Sequence, residues 1–247
     1  VTFDRKNPWV AIFLPATNGE IVDVKDGLRL EVRSTDDAGL ASIEIYIDDV
    51  LHTTFTNKFY FDEYFNVSQI SGTDHTIKVK VIDKTGKVSQ AIRDVKFDRS
   101  APTLDITTPK NGEVVDVGLN SLRINLVAGD DLGVKVVRVY LDGNEVITEG
   151  SNFNINRSIP LGNQYLGANH RIKYEVQDNS NKKTIQEWDF KMDRTYPWVQ
   201  VSSPSSDIAV DSSITLLTFT GTTGDDTGVS EIQILVDNNV KKTITPT

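Results

Sequence analysis

The sequence predicts an all-β protein of tandem two-sheet sandwiches arranged end to end, on three observations. A hexapeptide recurs: Phe97-Asp98-Arg99-Ser100-Ala101-Pro102 is matched by Phe3-Asp4-Arg5-Lys6-Asn7-Pro8 and by Met192-Asp193-Arg194-Thr195-Tyr196-Pro197. Asp4, Asp98 and Asp193 are spaced by 94 and 95 residues, a period that marks repeated domains with short joints between them. Between the joints apolar residues fall at every second position and no stretch sustains a 3.6-residue period, so strands fill the units and helix is nearly absent.

Each element follows from its residues. Residues 9–14 form a first strand, matched by 103–107 and 198–202, and Pro15, Pro109 and Pro204 close it, since a residue without an N–H suits a strand end. A short strand at 20–24 and 113–117 comes after the turn formers Asn18-Gly19 and Asn111-Gly112. The second long strand places Leu28, Leu30 and Val32 on one face, as Leu122, Ile124 and Leu126 do one period later. The third strand is the most regular: Ile43, Ile45 and Ile47 match Val137, Val139 and Leu141, then Ile232, Ile234 and Val236, mostly β-branched residues suited to one buried sheet face. It ends in Asp48-Asp49, Asp142-Gly143 and Asp237-Asn238, pairs that accept positive φ and so a tight hairpin. A less regular strand spans 59–67 and 153–159. Residues 76–83 and 170–178 then carry Ile77, Val79 and Val81 over Ile172, Tyr174 and Val176, and the last strand brings Val95 and Phe97, or Trp188, Phe190 and Met192, to the next joint.

Domain boundaries follow from the period. Residues 1–4 read as the tail of a preceding domain, because Val1 and Phe3 match Val95 and Phe97; residues 5–98 and 99–193 are complete units, and 194–247 is an incomplete third. The chain reads as a segment of a longer array whose third unit is completed by continuing polypeptide, the favoured expectation, or by strands that another subunit adds at its edge.

About seven short antiparallel strands per unit argue for a Greek-key sandwich of the immunoglobulin type, without its disulfide because the chain has no cysteine. The run Pro102-Thr103-Leu104-Asp105-Ile106 with Pro109-Lys110-Asn111-Gly112, then Asp130-Asp131-Leu132-Gly133-Val134 with Val137 to Gly143, then His170 and Asp178-Asn179-Ser180, resembles the tandem bacterial immunoglobulin-like domains of secreted and cell-surface proteins. The resemblance covers both full units and the start of the third. It implies stalks, spacers, adhesin segments, surface-layer modules or accessory parts of secreted hydrolases, and an extracellular or bacterial cell-surface location.

Several function classes are excluded or disfavoured. With 35 acidic against 26 basic residues and no basic run, nucleic acid is not the expected partner. No apolar run approaches a membrane span, and without cysteine no thiolate metal site can form. His75 and His170 share one repeat position at a strand start, where a structural hydrogen bond is expected; His52 has Val146 as its counterpart. No nucleophile–base–carboxylate grouping, phosphate loop or histidine–carboxylate metal motif is present, so the expectation is a non-catalytic segment.

Two sets of residues stand out as candidate sites. The sandwich topology brings the strand joint, the loop after the second long strand and the loop before the last strand to one pole. That pole gathers Asp4, Asp36, Asp37 and Asp83 in the first unit, Asp98, Asp130, Asp131 and Asp178 in the second, and Asp193, Asp225 and Asp226 in the third. Calcium takes six to eight oxygen ligands, and such clusters supply them. The competing reading makes these aspartates turn residues paired with the joint arginines Arg5, Arg99 and Arg194. The second set is aromatic. Trp9 and Phe13 point outward from the first strand, as Trp198 does in the third unit, while the second unit has Thr103, Asp105 and Thr107 there; with Phe59, Tyr60, Phe61, Tyr64 and Phe65 they read as extra core or as a lateral contact surface. The functional expectation is a structural rod, stalk or surface-layer segment whose partners are neighbouring domains, copies of itself or other surface proteins. The alternatives are an accessory region of a secreted polysaccharide-degrading enzyme and an adhesin stalk.

Overall fold

The computed structural model describes residues 4–118, 120–162, 165, 168–205, 209, 211 and 213–246. Val1 and Phe3, read as the tail of a preceding domain, lie outside the described residues.

The first sandwich is built from β1 (Trp9–Leu14), β2 (Glu20–Asp23), β3 (Leu28–Thr35), β4 (Leu40–Ile47), β5 (Val50–Thr56), β6 (Tyr60–Phe65), β7 (Asp74–Asp83) and β8 (Val88–Asp98). One sheet has the order β1-β3-β6 and the other β2-β8-β7-β4-β5. The chain changes sheets between β1 and β2, where Leu14-Pro15 is cis, and β2 then runs parallel to β8. Leu28, Leu30 and Val32 from one sheet meet Ile43, Ile45, Ile77, Val79 and Val81 from the other in a sealed core. Period-two alternation is therefore the pattern of a sheet with one buried face.

The second sandwich repeats this plan with β9 (Thr103–Thr108), β10 (Val114–Asp116), β11 (Ser121–Gly129), β12 (Val134–Leu141), β13 (Asn144–Glu149), β14 (Asn154–Pro160), β15 (Asn169–Asp178) and β16 (Lys183–Asp193). Its sheets are β14-β11-β9 and β10-β16-β15-β12-β13. In the third unit, β17 (Trp198–Ser203) pairs with β18 (Thr220–Gly224), and β19 (Ile232–Val236) with β20 (Asn239–Ile244). Val199 and Val201, which by the repeat match Leu104 and Ile106 of β9, are exposed. No α-helix occurs among the described residues, and none there is long and apolar enough to cross a membrane.

The hairpins after β4, β12 and β19 turn through residues with positive φ: Asp48 and Asp49, Asp142 and Gly143, Asp237 and Asn238. The strands that follow, β5 and β13, were not distinguished by alternation. Both are edge strands with exposed residues on both faces, so the sequence carries no one-sided pattern there. His52 and Val146 are the extra residues of matching bulges in them.

By compactness the chain divides into two units. One comprises Val1–Thr103, Gly129–Lys135 and Val176–Thr184; the other comprises Leu104–Ala128, Val136–Glu175 and Ile185–Thr247. The turn holding Asp130 and the turn after Asp178 thus belong with the first compact unit.

Candidate metal centres

Three acidic clusters form. Asp4 before β1, Asp36 in the β3–β4 turn and Asp83 at the end of β7 make the first. Asp98 at the end of β8, Asp130 after β11 and Asp178 at the end of β15 make the second, wholly within the first compact unit. Asp193 at the end of β16 joins Asp225 and Asp226 in the third. Within each cluster one carboxylate oxygen per residue lies within 4.8 Å of the others. Asp37 and Asp131 stand outside these groups; Asp131 accepts a hydrogen bond from the Ser100 hydroxyl.

Six of the nine clustered aspartates divide their two oxygens between two jobs, whereas Asp4 and Asp226 accept hydrogen bonds through both. Asp83 Oδ1 accepts from Thr85 N at 2.7 Å, Thr85 Oγ1 at 2.9 Å and Lys87 N at 3.0 Å. Asp178 Oδ1 does the same for Ser180 N at 2.8 Å, Ser180 Oγ at 2.9 Å and Lys182 N at 2.9 Å. The two turns share one geometry although their sequences differ, because the aspartate oxygen templates the backbone. Asp36 and Asp130 each spend one oxygen on the N–H two residues on, that of Ala38 or Leu132, and Asp225 spends one on Thr227 and Gly228. The remaining oxygens (Asp36 Oδ2, Asp83 Oδ2, Asp98 Oδ2, Asp130 Oδ1, Asp178 Oδ2 and Asp225 Oδ2) are buried and accept no hydrogen bond from the described residues. Asp83, Asp98 and Asp178 are almost completely buried as whole residues. A buried carboxylate oxygen without a donor is costly, and it belongs where a cation comes.

The competing turn reading and the cation reading are therefore compatible, one oxygen serving each. The arginine part of the turn reading is corrected. Arg99 donates to the carbonyl oxygens of Gly72 at 2.6 Å and Ile70 at 2.5 Å, and the Arg194 guanidinium to Asn120 Oδ1 at 3.3 Å. Uncharged oxygens thus take up these two forks, whereas the first two clusters are served by lysines. Lys87 pairs with Asp4, and Lys182 Nζ bonds Asp98 Oδ1 at 2.8 Å, the Asp98 carbonyl at 2.9 Å and Asp23 Oδ1 at 3.2 Å. Both lysines stand four residues after the strand-ending Asp83 or Asp178, a repeat-position signal that the sequence carried.

Electrostatics track this arrangement. Burial raises the Asp130 carboxyl above the ordinary carboxylate value, and the negative charges of Asp98, Asp131 and Asp178 add to it. Lys87 and Thr85 hold Asp4 well below that value. For Lys182, burial opposes the charged form, but bonds to Asp98 and Asp23 outweigh it and its pKa is raised. Three carboxylates against one ammonium, itself shared with Asp23, leave the second cluster with an excess of negative charge that favours a cation. Carboxylate oxygens of this kind fit the hard-oxygen chemistry of calcium.

His75 and His170 hold the β4–β5 and β12–β13 hairpins to β7 and β15. His75 Nδ1 lies 2.7 Å from Asp48 Oδ2 and His170 Nδ1 2.8 Å from Asp142 Oδ2, while the other oxygen of each aspartate accepts from Thr76 N or Arg171 N. Among the aromatics, Phe61 and Phe65 enter the first core, whereas Trp9, Phe13, Tyr60 and Tyr64 stay exposed. Trp198 is exposed too, with its ring over Gly224, where an added Cβ would come within 2.8 Å of it.

Comparison with known proteins follows the repeat. Residues 102–173 match the bacterial Ig domain family. That Ig domain runs from β9 into β15 and contains Asp130, one of the second-cluster carboxylates. No curated protein matches the chain. Among solved structures it is similar to the fibronectin(III)-like modules of Clostridium thermocellum CbhA, with 17% identity and a TM-score of 0.48, covering 74% of this chain and 94% of that one. It is also similar to a Ca2+-stabilized adhesin with which an Antarctic bacterium binds ice (13% identity, TM-score 0.37, 81% of this chain and 53% of that one). A tetra-tandem repeat from the extending region of a large adhesion protein is similar as well (16%, 0.36, 79% and 51%). The chain thus spans about half the length of those two adhesin chains.

Proposed function

We propose that this chain is a non-catalytic structural segment of an extracellular bacterial protein, a stalk, adhesin spacer or surface-layer module, in which calcium binds the acidic cluster of each repeat. One observation carries the reading: a cluster of three carboxylates forms in each of the three repeats, and each cluster holds at least one buried carboxylate oxygen that accepts no hydrogen bond from the described residues. An active site needs to be made once, whereas a device that holds a domain is made in each domain. The match of residues 102–173 to a bacterial Ig domain supports the extracellular setting. Calcium binding to the native state alone stabilises it by mass action, by about 2.7 kcal/mol at a hundredfold excess over Kd. Calorimetric melting of the chelator-treated protein, with and without millimolar calcium, tests this. A melting temperature that rises with calcium, and rises less with magnesium, is expected; identical melting curves in chelator and calcium would refute it.

A further inference from the structure

We propose that the outer face of the β1-β3-β6 sheet is a binding platform for a neutral polysaccharide. Trp9 and Phe13 of β1 and Tyr60 and Tyr64 of β6 project from this face and are 51%, 42%, 52% and 64% exposed. The fold does not require them. The matching sheet of the second sandwich presents Thr103, Asp105 and Thr107 from β9 and Asn154, Asn156 and Ser158 from β14. Between the rings β3 supplies Arg33, whose guanidinium lies 4.6 Å from the Phe13 ring centre and 5.6 Å from that of Tyr60. Arg33 also donates to Glu31 Oε1 at 3.0 Å, so the rings flank a cation that is itself held in place. Arg29 bonds Asp62 through two parallel contacts of 2.9 and 2.7 Å. A ligand meets rings and polar groups already positioned, which lowers the entropy cost of binding.

Charge and size identify the occupant. Arg29 and Arg33 are balanced by Asp62 and Glu31 on the same face, so the platform offers no net field to a charged polymer, and a chain with net charge −9 repels polyanions. Four residues along a strand and two strand spacings across give a footprint of roughly 13 by 10 Å. That is several-fold smaller than the ~800 Å² per partner that a stable protein interface buries, which argues against a second copy. A sugar chain suits what remains. Its C–H faces lie on aromatic rings, and its hydroxyls both donate to carboxylates and accept from guanidinium groups.

The test is electrophoresis of the whole chain through native gels containing hydroxyethylcellulose, galactomannan or dextran, with Kd read from retardation against polymer concentration. At least one neutral polymer should slow the chain. Trp9→Ala and Tyr60→Ala should each weaken binding about tenfold, Trp198→Ala should leave it unchanged, and the melting temperatures of all three should match the parent. Retardation by none of the neutral polymers, retardation by dextran sulfate alone, or retardation insensitive to Trp9→Ala and Tyr60→Ala would each overturn the proposal. So would concentration-dependent dimerisation that Trp9→Ala abolishes, since a second copy would then be the occupant.

Discussion

The substitution Asp178→Asn separates the two jobs of one carboxylate, and its sign depends on whether a cation is present. Oδ1 accepts three hydrogen bonds from Ser180 and Lys182, and an amide carbonyl in its place still accepts them. Oδ2 shares the cluster with Asp98 and Asp130, all within 4.8 Å. Two unit charges at that separation repel by about 3.5 kcal/mol at an effective dielectric constant of about 20. Asp178→Asn removes two such pairs and leaves the Lys182 bond to Asp98 at 2.8 Å in place. Its three hydrogen bonds change from charge-assisted to neutral at a loss of about 1–1.5 kcal/mol each, and the longer-range attraction of Lys182 is lost, so the net relief is of order 1–2 kcal/mol. For a domain of this size 1 kcal/mol moves the melting temperature by about 4–8 °C. In chelator, Asp178→Asn is therefore expected to melt ~5–15 °C above the parent.

In calcium the order narrows or reverses, because the parent gains the binding increment and the variant has given up a charged ligand. Scanning calorimetry of both proteins under both conditions reads the crossing directly. Asp178→Ala serves as the control: it strips the acceptor from two backbone N–H groups and is destabilising in either buffer, by about 1–3 kcal/mol for each buried group left bare. A variant less stable than the parent in chelator, or one whose calcium increment equals the parent's, would refute the division of labour between the two oxygens.

Three further outcomes follow. Lys182→Met removes the ammonium that bonds Asp98 and Asp23, so it should lower the melting temperature in chelator and respond to calcium more strongly than the parent does, by the same calorimetry. Asp130 has its folded pKa raised, so its contribution to stability is full below the ordinary carboxylate value and is lost as pH rises through the elevated one; carboxyl NMR titration should show it protonating before exposed aspartates, and calcium should abolish that. Tyr174→Phe removes a hydroxyl that donates to the Pro109 carbonyl at 3.2 Å. Trp188 Nε1 still donates to that carbonyl at 3.2 Å, so the cost measured by urea unfolding should stay at about 0.5–1.5 kcal/mol.

The core strands were legible because burial imposes a strict two-residue period on Leu28 to Val32, on Ile43 to Ile47 and on Ile77 to Val81. The convergence of Asp4, Asp36 and Asp83 was legible for a different reason: the topology fixes which loops share a pole, and a constant offset places one aspartate on each. Edge strands β5 and β13 left little mark, since exposure on both faces removes the pattern. The choice of lysine over arginine as counter-ion lay beyond sequence reasoning about charge alone. It depends on reach: the Arg99 fork meets two carbonyl oxygens, while Lys87 and Lys182 stand at the turn that the aspartate oxygen itself shapes.

Repetition within one chain also sorts the conspicuous residues by what each is for. The aspartate clusters occur three times and the hairpin histidines twice, so both belong to the shared plan of the repeat. In the third cluster Asp226 joins Asp193 and Asp225, and Asp225 Oδ1 gathers bonds from Thr227 N, Thr227 Oγ1 and Gly228 N while its Oδ2 stays bare. Asp36, Asp130 and Asp225 thus keep one arrangement with different donors, an oxygen for the turn and a bare oxygen beside it. The exposed aromatic row Trp9, Phe13, Tyr60 and Tyr64 is not repeated in the second domain, where β9 and β14 present polar residues on the matching face. A feature that the fold repeats without is free to answer to a ligand, and that asymmetry sets the first domain apart from its neighbour.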